Sequence, residues 1–286
     1  MTIHIRTMTE HDLPLGMRLK GEAGWNQTPA DWRRFLAMEP EGCLVAELDG
    51  VTVGTAVVTA FEGVAWISMV LVEQEFRGRG VGKALMNRAV QVAEELGART
   101  IRLDATPLGQ PLYESLGFVP QYALTRYAGV AVPADATVLS APQVLRVARS
   151  EDMPAILAVD SIATGTRRGK FLFLLFAGDS APFRVVEQPD GRLSSYLAAR
   201  TGSDAVQLGP CIAHSEEIGT ALLTDALSRY AGSRVYWDLP SSHFSAKQLA
   251  ESSGLAPQRQ LLRMCRGEGV NDDVPKLWAS SGPELG

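Results

Sequence analysis

Hydrophobic and polar positions in the first part of the chain change between the two-residue period of strands and the longer period of helices. The segment "IHIRTM" alternates as a strand does, and two helical segments follow, the second with Thr28 and Pro29 at its predicted N-terminus. Residues 43–61 predict two strands joined at Asp49-Gly50, a dipeptide typical of hairpin turns. Residues 64–72, "VAWISMVLV", are almost entirely apolar and predict a buried strand.

Helices and strands alternate in the residues that follow. The helix predicted from residue 82 has apolar residues at helical spacing and a glycine, Gly97, where it should end. A strand, a short helix and a last strand are predicted in "TIRLDA", "PLYESLGF" and "QYALTRYAG". This order of elements predicts an α/β fold of the mixed α+β kind.

The same order of elements occurs twice along the chain. Five segments of the first half are echoed in the same order in the second, among them "ESLGFVPQYALTRY" at Glu114 and "ESSGLAPQRQLLRM" at Glu251. Such a long period indicates an internal duplication rather than a solenoid. We therefore predict two tandem domains, residues 1–128 and 144–267, joined by a linker at 129–143. The polar tail at 268–286 is expected to be mobile or loosely docked.

Composition and charge limit the classes of protein to which the chain can belong. The net charge of −5 argues against nucleic-acid binding, and no apolar run is long enough to predict a membrane span or a signal peptide. The three cysteines are scattered without a CxxC pair, so neither a disulfide framework nor a metal site is predicted. A reducing cytoplasm is the expected location.

The segment "EFRGRGVGKALM", residues 75–86, combines glycines and cations at the start of a predicted helix. This combination is typical of a site for a phosphate group, because helix N-termini present unpaired N–H groups and glycine allows close approach to the backbone. A P-loop does not fit, since Ala84 stands where a Ser or Thr is needed, and a dinucleotide fingerprint does not fit because the spacing is GxGxG. The pattern Arg-x-x-Gly-x-Gly fits, with Arg77, Gly80 and Gly82.

With "RGRGVG", the terminal "LYESLGF" and the order of elements around them, residues 1–127 resemble the GCN5-related N-acetyltransferase (GNAT) family. The resemblance implies a mostly antiparallel, twisted central sheet flanked by helices in each domain, and acetyl-CoA as co-substrate. It implies that loop amides bind the pyrophosphate and that the preceding strand binds the pantetheine arm and thioester. The residues so implicated are Met69, Val70, Leu71, Val72, Arg77, Gly78, Arg79, Gly80, Val81, Gly82 and Lys83.

Tyr113 is the candidate catalytic residue. In the resembled family the matching tyrosine protonates the departing thiolate, whereas an alternative role is packing on the core. The second copy has Ala250 at this position and acidic Glu216 and Glu217 in its loop. Acidic side chains repel a pyrophosphate, so the second copy is not expected to bind coenzyme A. The joint loss of loop and tyrosine favours the catalytic role.

The acceptor site and the general base are less well defined by the sequence. The resemblance places the acceptor groove between the first two predicted helices, where Trp25, Asn26 and Gln27 are candidates for contacting the substrate and Trp32 is a candidate for either the groove or the core. Four carboxylates are candidates for the base, with no choice between them: Glu22, Asp31, Glu62 and Glu73.

These features together predict an N-acetyltransferase that transfers an acetyl group from acetyl-CoA to a primary amine of a small molecule. A non-catalytic acyl-CoA-binding regulatory module and an acyltransferase with a bulkier acyl donor are the alternatives. We expect no metal, and the two domains to form either a monomeric pseudo-dimer or the protomer of a homodimer.

Overall fold

The computed structural model describes residues 1–133, 139–140, 142–178 and 181–286, which form two compact units. Unit 1 consists of Met1–Pro120, Met264–Gly269 and Glu284–Gly286, and unit 2 consists of Gln121–Arg263 and Val270–Pro283. The predicted linker residues 134–138 and 141 lie outside the described residues. The division of the sequence into copies at 1–128 and 144–267 stays a prediction.

The first half of the chain forms the elements that the hydrophobic pattern predicts. In chain order they are β1 (Ile3–Thr7), α1 (Leu13–Glu22), α2 (Pro29–Met38), β2 (Cys43–Leu48), β3 (Val51–Phe61), β4 (Val64–Val72), α3 (Val81–Glu95), β5 (Thr100–Ala105), α4 (Gln110–Ser115) and β6 (Val119–Val130).

The second half repeats this order and adds a short strand near its end. Its elements are β7 (Val144–Val147), α5 (Met153–Thr164), α6 (Gly169–Ala177), β8 (Ala181–Glu187), β9 (Leu193–Thr201), β10 (Val206–Ile212), α7 (Glu216–Arg229), β11 (Arg234–Pro240), α8 (Phe244–Ser252), β12 (Ala256–Gly267) and β13 (Leu277–Ala279).

Local signals in the sequence explain several element boundaries. The side chain of Thr28 accepts a hydrogen bond from the amide of Asp31, which caps α2 as predicted. Asp49 and Gly50 have φ angles of 50° and 87°, so the hairpin between β2 and β3 uses the left-handed backbone that this dipeptide tolerates. Gly97, which follows the last turn of α3, has φ 81°.

The sheet of unit 1 has the strand order β1-β2-β3-β4-β5, and the end of β12 lies next to β5. β1 to β4 pair antiparallel, whereas β4 and β5 run parallel. Helix α3 packs on β3 and β4, where a side chain at Gly54 would meet Leu85. The predicted mostly antiparallel sheet with flanking helices is confirmed.

The sheet of unit 2 has the order β7-β8-β9-β10-β11-β6. β6 is the last strand of the first copy in sequence, yet its residues Leu124–Val130 belong to unit 2 and pair antiparallel with β11. The core around α7 contains Leu197, Leu222 and Trp237, all fully buried.

One ion-pair network occurs in both units and reflects the duplication. In unit 1 the two NH groups of Arg6 each donate to one carboxylate oxygen of Asp12 at 2.8 Å, and Nε donates to Glu47 at 2.7 Å. In unit 2 Arg146 binds Asp152 at 2.6 and 2.9 Å and Glu187 at 2.7 Å. These contacts join the first strand of each unit to the turn before its first helix. Arg6 and Asp12 in "IRTMTEHDLP" stand at the same positions as Arg146 and Asp152 in "LRVARSEDMP", so this part of the sequence repeat has a structural basis.

The tail does not match its prediction. A mobile or loosely docked segment was expected at 268–286, but Leu277–Ala279 forms the buried strand β13 and Trp278 is only 2% exposed. The prediction rested on the many polar residues of the tail. The tail also contains the apolar pair Leu277-Trp278, and burial of these two side chains favours docking of the segment.

Candidate active site

The edge of β4 in unit 1 separates from β5 partway along its length. The two strands pair in parallel from Val64 to Trp66 only. Beyond that point β4 contains a bulge opposite β3, where Met69 has φ 51° and its carbonyl accepts a hydrogen bond from Thr55 Oγ1 at 2.9 Å. Among the described residues no strand pairs with Met69–Val72 on the β5 side. This edge therefore presents backbone groups that no described strand pairs with.

The glycine-rich loop follows β4 directly and is exposed to solvent. Gly78 and Gly80 have φ angles of 76° and 86°, values that other residues rarely adopt. The side chains of the two loop arginines turn back to the backbone: Arg77 Nε donates to the carbonyl of Val72 at 3.0 Å, and Arg79 donates to the carbonyl of Glu75 at 3.1 Å. The loop thus has a defined conformation with its glycines facing outward.

Helix α3 begins at Val81 without a capping side chain, because its N-cap residue is Gly80. Its first-turn N–H groups and the positive end of its dipole are therefore suited to an anion. Lys83 in the first turn is exposed, and a side chain at Gly82 would meet only Leu112 and Val72, each at 3.8 Å. The loop, the helix N-terminus and the unpaired strand edge follow one another along the chain; that they bind an acyl-CoA stays a prediction.

Tyr113 lies on the short helix α4, and its neighbour Leu112 reaches Gly82 at the start of α3. The Tyr113 ring covers Gly109: a Cβ atom at that position would lie 2.8 Å from Cε2 and 3.1 Å from the hydroxyl oxygen. The other ring contact is with Phe118, edge on at 6.2 Å between centroids. Burial raises the pKa of Tyr113 to about 12, so the phenol stays protonated at neutral pH.

The predicted acceptor residues lie in the connection between α1 and α2. Asn26 and Gln27 are buried and Trp25 is half-buried. The side-chain amide of Gln27 donates a hydrogen bond to the carboxylate of Glu284, a residue that belongs to the same unit. Trp32 is fully buried against Gly16, so it belongs to the core and is excluded from the groove.

The four carboxylate candidates for the general base have different surroundings. Asp31 caps α2 and binds Arg34 at 2.7 Å, and Glu73 pairs with Arg18. Glu22 lies on an exposed turn of α1, 3.5 Å from Arg18, and Glu62 lies in the β3–β4 turn with φ 39°. Asp31 has a structural role that accounts for its burial. The structure singles out none of the four as the base.

Two buried polar side chains of unit 1 were not indicated by the sequence. Glu284 is 4% exposed and binds Gln27, and the hydroxyl of Ser68 on β4 is buried without a hydrogen-bond partner in the structure. The sequence gives no signal for Glu284, because its hydrogen-bond partner Gln27 lies 257 positions earlier in the chain. Ser68 is a polar residue within an otherwise apolar strand, which is a signal that could have been used.

The corresponding region of unit 2 has a different chemistry. Helix α7 is capped by Ser215, whose side chain accepts from the amide of Ile218, and its first turn contains Glu216 and Glu217. A capped helix with two acidic side chains is a poor site for a phosphate. Ala250 replaces the tyrosine and is fully buried.

Two family models match the chain and together cover most of it. Residues 12–118 match the model described as Acetyltransferase (GNAT) family, and residues 156–279 match the one described as Acetyltransferase (GNAT) domain. The chain belongs to the GNAT acetyltransferase family and contains two such domains in tandem. Proteins of this family use acyl-CoA as the acyl donor.

Two relatives match most of the chain in sequence. The uncharacterized N-acetyltransferase YitH of Bacillus subtilis is 27% identical over 231 residues, which cover 80% of this chain and 79% of the relative. Holothin acyltransferase of Pseudoalteromonas sp. is 24% identical over 264 residues, covering 92% of this chain and 87% of the relative. Both names denote acyl transfer, which supports acyltransferase activity.

Solved structures share the fold. A candidate acetyltransferase from Pyrococcus horikoshii has a TM-score of 0.83 at 20% identity and covers 99% of this chain and 96% of its own. A tandem GNAT protein from the clavulanic acid biosynthesis pathway has a TM-score of 0.68 at 16% identity, with coverage of 95% and 100%. In the described part of the chain, no helix is long and apolar enough to cross a membrane.

Proposed function

We propose that unit 1 is an N-acetyltransferase that transfers an acetyl group from acetyl-CoA to a primary amine of a small molecule. The observation that carries this proposal is the open edge of β4 at Met69–Val72, which leads directly into an uncapped helix N-terminus. In the proposal, the amides of Gly78 to Lys83 bind the pyrophosphate, with Arg77 and Arg79 adding positive charge. The backbone of Met69, Val70, Leu71 and Val72 binds the pantetheine arm.

The acetyl thioester supplies an activated acyl group, and the chain supplies the groups that stabilise its transfer. Backbone N–H groups at the bulge of β4 polarise the thioester carbonyl when the amine attacks. Tyr113 donates its proton to the sulfur as the carbon–sulfur bond breaks, and the amine nitrogen loses one proton to a base or to water; that proton balances the reprotonation of the phenolate, so that free coenzyme A, an amide and neutral Tyr113 remain.

The raised pKa of Tyr113 is compatible with this role. A phenol with a pKa of about 12 is fully protonated at neutral pH, so the donor form is always present. A free thiol has a pKa of about 8.5, but the phenol needs to donate only as negative charge develops on sulfur in the transition state. The phenol therefore acts late in the reaction and contributes no ionised form to the resting enzyme.

The acceptor is proposed to contact Trp25, Asn26 and Gln27. A buried amide with an unpaired oxygen supports this placement, since Gln27 Oε1 has no hydrogen-bond partner in the structure while its Nε2 binds Glu284. Such an oxygen is suited to an N–H donor on the substrate.

A donor with a larger acyl group is the second candidate. It is favoured by the relative named holothin acyltransferase, which matches almost the whole chain and whose name does not specify acetyl. As part of the proposal we place the protein in the cytoplasm, because the three free, buried thiols suit a reducing compartment. Whether it is a monomer or a homodimer stays a prediction.

The proposal is tested by combining a panel of acyl-CoAs with a panel of amines and measuring thiol release and amide formation. Acetyl-CoA with at least one small primary amine should give amide and thiol in equal amounts. Faster turnover with a longer acyl-CoA would show that the acyl donor is not acetyl-CoA. Tight binding of acetyl-CoA without amide formation for any amine would instead indicate a regulatory module.

A further inference from the structure

The short strand β13 takes an edge of β10 that would otherwise be open. One edge of β10 pairs with β9, through Cys211 with Leu197. The other edge pairs in parallel with β11 from Val206 to Leu208 only, and β13 then continues on that edge, antiparallel, with Ala279 opposite Cys211. β13 therefore enters the cleft where β10 and β11 separate.

Hydrogen bonds attach this segment to both walls of the cleft. On the β10 side, the amide of Ala213 donates to the carbonyl of Lys276 at 3.0 Å. On the β11 side, Trp237 Nε1 donates to the carbonyl of Trp278 at 2.7 Å, and the amide of Ser280 donates to the carbonyl of Asp238 at 2.8 Å. The segment Lys276–Ser280 is bound through its backbone, as a linear amide-containing ligand would be.

The indole of Trp278 closes the end of the cleft at helix α7. A side chain added at Gly219, in the first turn of α7, would collide with the indole ring. The indole also meets the ring of His243 edge-on, at 4.6 Å between centroids. Trp278 thus covers the helix turn that corresponds to Gly82 in unit 1, where only Leu112 and Val72 are near.

We propose that Lys276–Ser280 is an intramolecular replacement for the pantetheine arm: it fills the cleft in unit 2 that corresponds to the acyl-CoA cleft of unit 1. This inference rests on the proposed function for the site in unit 1. Pantetheine contains two amide groups on a linear chain, and a peptide strand offers the same donors and acceptors to the edge of β10. Unit 2 is then a permanently closed copy: its cleft is always occupied by Lys276–Ser280 and does not bind acyl-CoA.

A crosslink tests this placement directly. Cys211 is a free thiol, and Ala279 lies opposite it across the antiparallel pair, a separation that suits a disulfide. Ala279→Cys should form the Cys211 disulfide under mild oxidation of the folded chain, with the loss of two titratable thiols. The matched control, Ala279→Cys with Cys211→Ser, should retain its thiols. Failure of the first variant to crosslink in the native state overturns the placement.

Titration calorimetry with acetyl-CoA tests whether Lys276–Ser280 ever leaves the cleft between β10 and β11 and so opens a second binding site. Wild type and the crosslinked variant should both bind one acetyl-CoA per chain, with affinities that agree within about twofold. Two sites in wild type and one after crosslinking would overturn the permanently closed copy. Absence of acetyl-CoA binding in every variant would refute the proposed function of unit 1, while the crosslink result would still decide where the tail lies.

A second variant tests the filling role without a new covalent bond. Trp278→Ala removes the indole from the cleft and should lower the melting temperature by about 5 °C or more, as for other large buried aromatic residues. Trp278→Phe should recover at least half of that loss. An unchanged melting temperature in Trp278→Ala would contradict a filled cleft.

Discussion

Helices α3 and α7 begin after corresponding strands and differ in what satisfies their first turns. Helix α3 starts after two glycines with positive φ and has no capping side chain. Helix α7 has Ser215 as its cap, acidic residues in the turn and Trp278 over Gly219. A helix N-terminus must be satisfied by side chains, by water or by a ligand. Unit 2 supplies a capping side chain from its own chain, whereas α3 has none, a difference that fits the acyl-CoA site proposed for unit 1.

Helices α4 and α8 differ at two corresponding positions: one holds a tyrosine in unit 1 only, and the other holds a glycine in unit 1 only. Tyr113 corresponds to Ala250 in the sequence repeat, and Gly109 corresponds to Ala246. In unit 1 the phenol occupies the space above Gly109. In unit 2, with no ring to accommodate, alanine stands at both positions. Gly109 is therefore best explained as the residue that makes room for the phenol of Tyr113.

The largest effect is expected from removal of the Tyr113 hydroxyl. Tyr113→Phe should lower kcat by about 100-fold to 10,000-fold, the range for a lost general acid, with little change in the Kd of acetyl-CoA. Tyr127→Phe is the matched control, because burial also raises the pKa of Tyr127 to about 12 and that residue lies in unit 2. It should leave kcat unchanged.

The pH dependence sharpens this prediction. The active form of Tyr113 is protonated, so activity that depends on it is lost only as pH rises through about 12. An alkaline decrease in kcat below pH 10 must therefore come from another group and should also occur in Tyr113→Phe. If that decrease disappears in the mutant, Tyr113 titrates in this range and its assigned environment is wrong.

The next effect concerns the phosphate loop. Gly80→Val should weaken acetyl-CoA binding by about 10-fold to 100-fold, because a β-branched residue at φ 86° costs about 1–3 kcal/mol. The matched change in unit 2, Glu217→Val, should leave the affinity unchanged. Titration calorimetry measures both, and a similar loss in the two variants would show that the helix N-termini are not different sites.

A smaller effect should follow from Gly109→Ala. The added methyl group displaces the phenol, since its Cβ would lie 2.8 Å from the ring, and kcat should fall about tenfold while acetyl-CoA affinity is kept. The double variant with Tyr113→Phe should be no slower than Tyr113→Phe alone. Gly21→Ala, where nothing lies within 4 Å, is the control for the added methyl group. Additive losses in the double variant would mean that Gly109 does not act through Tyr113.

The sequence predicted those features that depend on residues close together along the chain. The Thr28 cap, the Asp49-Gly50 hairpin and the glycine loop each involve a few neighbours. β13 could not be predicted because a three-residue strand has too short a pattern, and its partner β10 lies more than sixty residues earlier. The contact between Gln27 and Glu284 was missed for the same reason, since it joins residues 257 positions apart.

The smallest predicted effect tests what the two units still share. Asp12 is hydrogen-bonded to Arg6, which lowers its pKa from 3.8 to about 2. A lowered folded-state pKa contributes stability that is fully present above pH 3.8 and is lost as pH falls through about 2. Asp12→Asn should therefore cost about 2 kcal/mol of unfolding free energy at neutral pH, typical of a charge-assisted hydrogen bond, and the difference from wild type should shrink between about pH 4 and pH 2.

Asp152→Asn should show the same sign and pH dependence, since its pKa is also lowered, by the hydrogen bonds from Arg146. Glu10→Gln is the control, because Glu10 is exposed and lies 3.8 Å from Arg33. Denaturant unfolding at a series of pH values provides the measurement. A loss in only one of the two aspartate variants would mean that this network, unlike the fold, stabilises just one unit. Equal losses would show that the ion-pair network at the first strand stabilises both units to the same extent.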